Sequence, residues 1–112
     1  MANTPASRKA KGRVLQNYIK EAILEHFKEL TEDDVRSTPM GVNGSDIQLS
    51  TKAKEKFPYN VEAKNTEKLN VWKAWEQAQS NIEESTKPLL VIKKNRKKPL
   101  VVMDLEDFFK ML

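Results

Sequence analysis

The chain has no cysteine and a single histidine, His26. The first absence excludes disulfide scaffolds, thiolate zinc sites and cysteine nucleophiles. A lone histidine excludes His-rich metal sites and gives a Ser-His-Asp triad little to stand on. Long apolar runs are also missing. The longest extend over about five residues, against the roughly 20 needed to cross a bilayer. No apolar stretch follows Arg8, Lys9, Lys11 and Arg13, so a signal peptide is not indicated. The 112 residues suffice for one core and are too few for two domains. The expectation is a single soluble, cytoplasmic, mildly basic domain.

The charge that is present is unevenly placed. The formal net charge is +4. Arg8, Lys9, Lys11 and Arg13 lie in the first thirteen residues without an acid among them. Lys93, Lys94, Arg96, Lys97 and Lys98 form a second cluster, and the body between and around these segments is net acidic. Two basic segments on an acidic body suit the gripping of a phosphate backbone. A tail and a solvated turn account for the same composition.

Residues 1 to 8 read as a disordered N-terminal arm, and 9 to 112 as one domain. From Ser7 or Lys9 to Leu30, Leu15, Ile19, Ala22, Ile23, His26, Phe27 and Leu30 recur at helical spacing. Asp34 to Thr38 reads as a short strand before Pro39, and residues 40 to 45 as a Gly- and Asn-containing loop. Asp46 to Leu49 alternates polar and apolar. Residues 50 to 57 make a charged turn or one helical turn capped by Ser50 or Thr51. Tyr59 to Lys64 alternates again, and residues 67 to 84 read as a second helix with Leu69, Trp72, Trp75, Ala78 and Ile82 on its apolar side. Leu89 to Ile92 and Leu100 to Met103 form a hairpin. Asp104 caps a last short helix. This order predicts an α/β fold, a mixed central sheet flanked by helices.

The informative feature is Asp46 followed by Glu62-Ala63-Lys64. Residues two apart in a strand share a face, so Glu62 and Lys64 point one way while Val61 and Ala63 point into the core. If the strand opened by Asp46 pairs with this one, the two carboxylates meet. They repel unless a cation sits between them. Mg²⁺ is hard, prefers oxygen and keeps some of its waters. Lys64 beside it can orient or deprotonate an attacking water, or steady a phosphate. That is the equipment for metal-assisted phosphodiester hydrolysis. A surface acid beside a cross-strand Glu–Lys pair is the plainer alternative.

Gly44-Ser45-Asp46-Ile47 and Val61-Glu62-Ala63-Lys64, with a helix on either side, resemble the PD-(D/E)xK nuclease superfamily. The resemblance spans about residues 9 to 103. It is nearest to small archaeal-type Holliday-junction resolvases, which share the Lys11-Gly12-Arg13 type of helix start. It extends to phage-encoded endonucleases, through Phe57 to Asn65 and Glu76-Gln77-Ala78. It implies a restriction-endonuclease-like αβββαβ core and a Mg²⁺-dependent endodeoxyribonuclease, with Mn²⁺ as a substitute. Asp46, Glu62 and the backbone carbonyl of Ala63 would hold the metal. Asp46, Glu62, Lys64 and Gln77 would form the catalytic set. DNA, branched or structured, would be the partner, and the active form a homodimer. No membrane and no organic cofactor are implied, and the setting is the cytoplasm of a bacterial, archaeal or phage-infected cell. Two departures stand out. Ser45 replaces the family's proline. Gln16 occupies the place of a metal-site Glu on the first helix, acting through water unless Glu21, one turn later, substitutes for it.

Other positions carry paired readings. Ser37 and Asn65 touch phosphate or make local hydrogen bonds. Trp72 and Trp75 pack in a core or interface, or stack on bases. His26 packs. Arg8, Lys9, Lys11, Arg13, Lys73, Lys93, Lys94, Arg96, Lys97 and Lys98 are the candidate DNA contacts, positioning a duplex without reading its sequence. The exposed apolar residues of the last helix serve a dimer interface or cover their own sheet. Two alternatives to the junction enzyme remain. One is a nicking or restriction-like endonuclease on duplex DNA. The other is a non-catalytic DNA-binding module.

Overall fold

The computed structural model describes residues 4–112. The first helix, α1, runs Pro5–His26. Thr4 caps it, its side chain accepting from the Ser7 N–H at 3.1 Å. Proline at the first helical position is favourable because its missing N–H has no intrahelical partner there. The helix thus begins earlier than the apolar spacing suggests, inside the arm expected to be disordered. Residues 1–3 of that arm lie outside the described residues. The helix also stops short of Leu30. Phe27 and Leu30 still pack in the core after the chain has left helical geometry, so apolar spacing outlasts the helix itself.

Strands β1 (Val35–Ser37) and β2 (Ile47–Leu49) form an antiparallel pair. A short helix, α2 (Thr51–Lys56), follows, with Ser50 as its cap. Strand β3 (Tyr59–Asn65) runs parallel to β4 (Lys87–Lys93), joined to it through α3 (Val71–Ser80). Strand β5 (Leu100–Val102) returns antiparallel to β4. Helix α4 (Leu105–Lys110), capped by Asp104, ends the chain. The fold is α/β, with a mixed sheet flanked by helices.

Two apolar layers hold the sheet. Leu15, Ile19 and Ile23 of α1 pack on Val61, Leu89 and Val91. On the opposite face, Ala74 and Ala78 of α3 pack on Leu90, with Val71, Trp75 and Ile92 around them. Small alanines let the helix approach the strands closely. Trp75 joins this layer, but Trp72 does not: it is 78% exposed, on the outer side of α3. Ile82 is exposed beyond the end of the helix.

The ladders fall into two pieces, β1–β2 and β3–β4–β5. The two motif strands therefore do not pair along their length. They meet at a junction built by Ser45 and Asp46. The Asp46 N–H donates to the Val61 carbonyl at 2.8 Å. The buried Ser45 hydroxyl accepts from the Val61 N–H at 3.1 Å. It lies within donating distance of the Ile47 and Val61 carbonyls, at 3.0 and 3.2 Å. One hydroxyl thus replaces a rung of backbone pairing. Gly44, with φ +107 and open space where a Cβ would stand, turns the chain into this junction.

Candidate active site

Strand β3 separates its side chains by alternation. Tyr59, Val61 and Ala63 face the α1 layer. Glu62 and Lys64 lie on the α3 side, level with Leu90 and Ile92 of β4. Glu62 is buried, and the Lys64 ammonium stands 3.6 Å from Glu62 Oε2. Asp46 arrives from the junction. Its Oδ2 accepts the Ala63 N–H at 2.6 Å, so Ala63 is brought to the site through its main chain.

Burial raises the Asp46 carboxyl above the ordinary carboxylate range, against hydrogen bonds from Ala63 and Gln16 and the positive charge of Lys64. Burial also raises Glu62, and the negative charge of Asp46 adds to the shift; Asn81 and Lys64 oppose it. The two acids therefore sense one another. Two half-desolvated carboxylates sharing one ammonium favour a proton or a cation between them. Among the described residues, no group of three or more His, Cys, Asp or Glu could hold a metal ion. A donor set of two carboxylates suits a hard cation that keeps waters, as Mg²⁺ does.

Around this pair the structure adds support. Gln16 is buried on α1 and hydrogen bonds Asp46. Glu21 is exposed and, five residues on, is turned by about 140° around the helix from Gln16, away from Asp46. Gln77 is exposed on α3. The α3 hydrogen bond to Glu62 comes from Asn81, one turn later, whose Nδ2 lies 3.2 Å from Glu62 Oε1. Asn60, buried on the Glu62 face of β3, donates to the Asn81 carbonyl and fixes that helix end. Asn60 and Asn81 escape a sequence reading because an Asn in a strand or after a helix looks like an ordinary end signal.

Ser37 donates to Asn17 Oδ1 at 2.9 Å, tying β1 to α1 beside Gln16. Asn65 donates to the Lys11 carbonyl at 3.0 Å, so it anchors the start of α1 to the end of β3. His26 is exposed, its ring edge-on to Phe27 at 4.7 Å.

The two basic segments converge. Glu67 Oε2 accepts the Asn95 N–H of the β4–β5 turn at 2.7 Å, and Lys11 Nζ lies 3.6 Å from the same oxygen. One acid just beyond β3 thereby ties the basic start of α1 to the basic turn. A hollow of about 410 Å³ lined by Arg8, Lys11, Asn65 and Lys68 lies on one side of the Thr66–Glu67 bend. Another, bounded by Lys93, Lys94, Lys97 and Lys98, lies on the other. Lys9 and Arg13 are exposed on α1, Lys73 on the first turn of α3 and Arg96 at the tip of the turn.

Residues 7–112 match the family described as "Phage putative PDDEXK endonuclease". The chain belongs to this family. The αβββαβ order that the resemblance implies is present with α2 inserted between β2 and β3, and Asp46 meets Glu62-Ala63-Lys64 at the junction of the two strand pieces. No curated protein and no solved structure gives a match. No helix among the described residues is long and apolar enough to cross a membrane.

Proposed function

We propose that the chain is a Mg²⁺-dependent endodeoxyribonuclease acting on branched or otherwise structured DNA, in the manner of a Holliday-junction resolvase. The observation that carries this reading is the pair of acids, buried Glu62 and half-buried Asp46, with Lys64 at 3.6 Å from Glu62. Asp46 and Glu62 would hold the metal, joined by the main chain of Ala63. Bound Mg²⁺, or Mn²⁺ in its place, supplies Lewis acidity at the scissile phosphate. Lys64 orients the attacking water or steadies the phosphate. Gln16 and Asn81 fix the carboxylate rotamers through their hydrogen bonds. Gln77, one turn before Asn81, supports the site from the same helix face. The basic segments tied by Glu67 lie along the backbone of the bound strand.

In this reading the active form is a homodimer that recognises the shape of the DNA and cuts two strands with two active sites. Helix α4 offers apolar surface for it: Leu105, Phe109, Met111 and Leu112 are exposed, and no residue of the helix is buried. A phage-type nicking or restriction-like endonuclease on duplex DNA is the second reading, favoured by a family description that names a phage endonuclease.

The test is cleavage with Mg²⁺ or Mn²⁺ of four-way, flapped, single-stranded and linear duplex DNA. Preferential cutting of the four-way junction is expected. Equal or better cutting of linear duplex would favour the second reading. Binding without cleavage under either metal would overturn both and leave a non-catalytic DNA-binding module.

A further inference from the structure

Strand β4 carries the floor of a hollow that the catalytic reading does not use. Leu69, Val71, Ile92 and Leu100 form an apolar floor beneath a space of about 410 Å³, a volume in the range of small-ligand sites. Leu100 stands 61% exposed at its edge. Lys93, Lys94, Lys97 and Lys98 form the rim. Glu67, the only acid lining it, is already engaged by Asn95 and Lys11. Lys97 and Lys98 make no ion pair among the described residues. Thr66 lines the wall.

The occupant must be apolar in body and anionic at its edge. Position narrows the choice. Ile92 is the register partner of Lys64, and Leu100 is the register partner of Ile92. Their side chains share the α3 side of the sheet with Glu62 and Lys64. Neighbouring strands lie about 4.8 Å apart, so the floor begins one strand away from the candidate catalytic lysine. A nucleotide unit fits all of these demands: flat apolar faces, a polar base edge and charged phosphates on either side.

We infer that this hollow receives one unpaired nucleobase next to the scissile phosphate, with the lysines of the β4–β5 turn on the flanking phosphates. This rests on the nuclease reading and deepens it. A base leaves its stack at least cost where it is already unpaired, so the hollow would select branch points, flaps and single strands over continuous duplex. Leu69, Val71, Ile92 and Leu100 meet the faces of the base.

The experiment places 2-aminopurine, a base whose emission rises on unstacking, at successive positions of a flapped DNA. Binding of the full chain is read by fluorescence in EDTA, and cleavage of the same DNA is read separately with Mg²⁺. A rise at a single position beside the cut is expected. Leu100→Glu, at an exposed position, sets an acid against the phosphates and should remove that rise. It should also lower the preference for flapped over linear DNA by about tenfold, the scale of a single base contact. Cleavage without a rise at any position overturns the base site and leaves the nuclease reading intact. A rise unchanged in Leu100→Glu also overturns it, as does a preference for an acidic amphipathic peptide over single-stranded oligonucleotide in competition. Absence of cleavage on every DNA would instead overturn the nuclease reading beneath it.

Discussion

Asn81 at the end of α3 donates to Glu62 on β3 across 3.2 Å. Asn60 in turn holds the Asn81 carbonyl. The carboxylate is thus set by a helix terminus pinned to the strand that bears the acid. Partners that orient metal ligands typically contribute 10- to 100-fold, on the order of magnitude, to affinity or activity. Asn81→Ala should therefore slow cleavage by about tenfold or more and raise the Mg²⁺ concentration needed for half-maximal rate. Rates measured across a Mg²⁺ titration check this. An unchanged metal dependence would make Asn81 a purely structural cap.

The acids themselves give a prediction with a sign. Burial raises both Asp46 and Glu62 above the ordinary range, so the folded chain holds these protons more tightly than the unfolded chain. That contribution to stability is complete below the unfolded carboxylate value, about 4, and is lost as pH rises through the folded values. As pH rises, the metal-free protein therefore bears a growing cost of charging desolvated groups. Glu62→Gln should abolish cleavage and raise the metal-free thermal midpoint at pH 7 by roughly a few degrees. Mg²⁺ should raise the midpoint of the unaltered chain and not that of the variant. A lower midpoint in the metal-free variant would contradict the burial argument.

Ser45 supplies the hydroxyl that joins the two strand pieces. Ser45→Ala orphans the buried Val61 N–H, an omission that costs about 1–3 kcal/mol. Chemical denaturation should record a loss of that size. Asp46 hangs from the same junction, so activity should fall with it. A midpoint within error of the unaltered protein would mean that Val61 finds another acceptor.

Arg96, at the tip of the basic turn, has φ 64. A side chain in that left-handed region costs about 1–2 kcal/mol relative to glycine. Arg96→Gly should stabilise the protein by about 1 kcal/mol while weakening DNA binding. The salt dependence of binding should also become shallower, because one phosphate contact is lost. An unaltered salt slope would remove Arg96 from the backbone contacts.

Much of this could be read from the chain. The alternation of Tyr59 to Lys64 separates core from site because strand geometry is local. Ser50 and Asp104 announce their helices as caps. What stayed hidden depends on residues far apart in sequence. Glu67 reads as the start of a helix, yet α3 begins at Val71 and Glu67 instead ties Lys11 to Asn95. Trp72 fits the apolar period of α3 but stands in solvent, because Ala74 and Ala78 fill the narrow contact with the sheet. The meeting of Asp46 with Ala63 comes from the Ser45 hydroxyl and one backbone hydrogen bond, not from a strand ladder, and no spacing rule encodes it.

The strict alternation of β3 also restricts how the gene can change. Losing or gaining one codon between Asn60 and Lys64 would invert every later side chain. A gain just before Glu62 would turn the acid into the oily layer under α1 and stand an alanine where the ammonium belongs. Length changes that spare the acid and lysine must come in pairs here, or fall elsewhere. The bends around Gly41 to Gly44 and Asn95 to Lys97 are the places able to absorb them. Relatives of this chain should therefore differ in length at those bends while keeping the spacing from Val61 to Lys64 fixed.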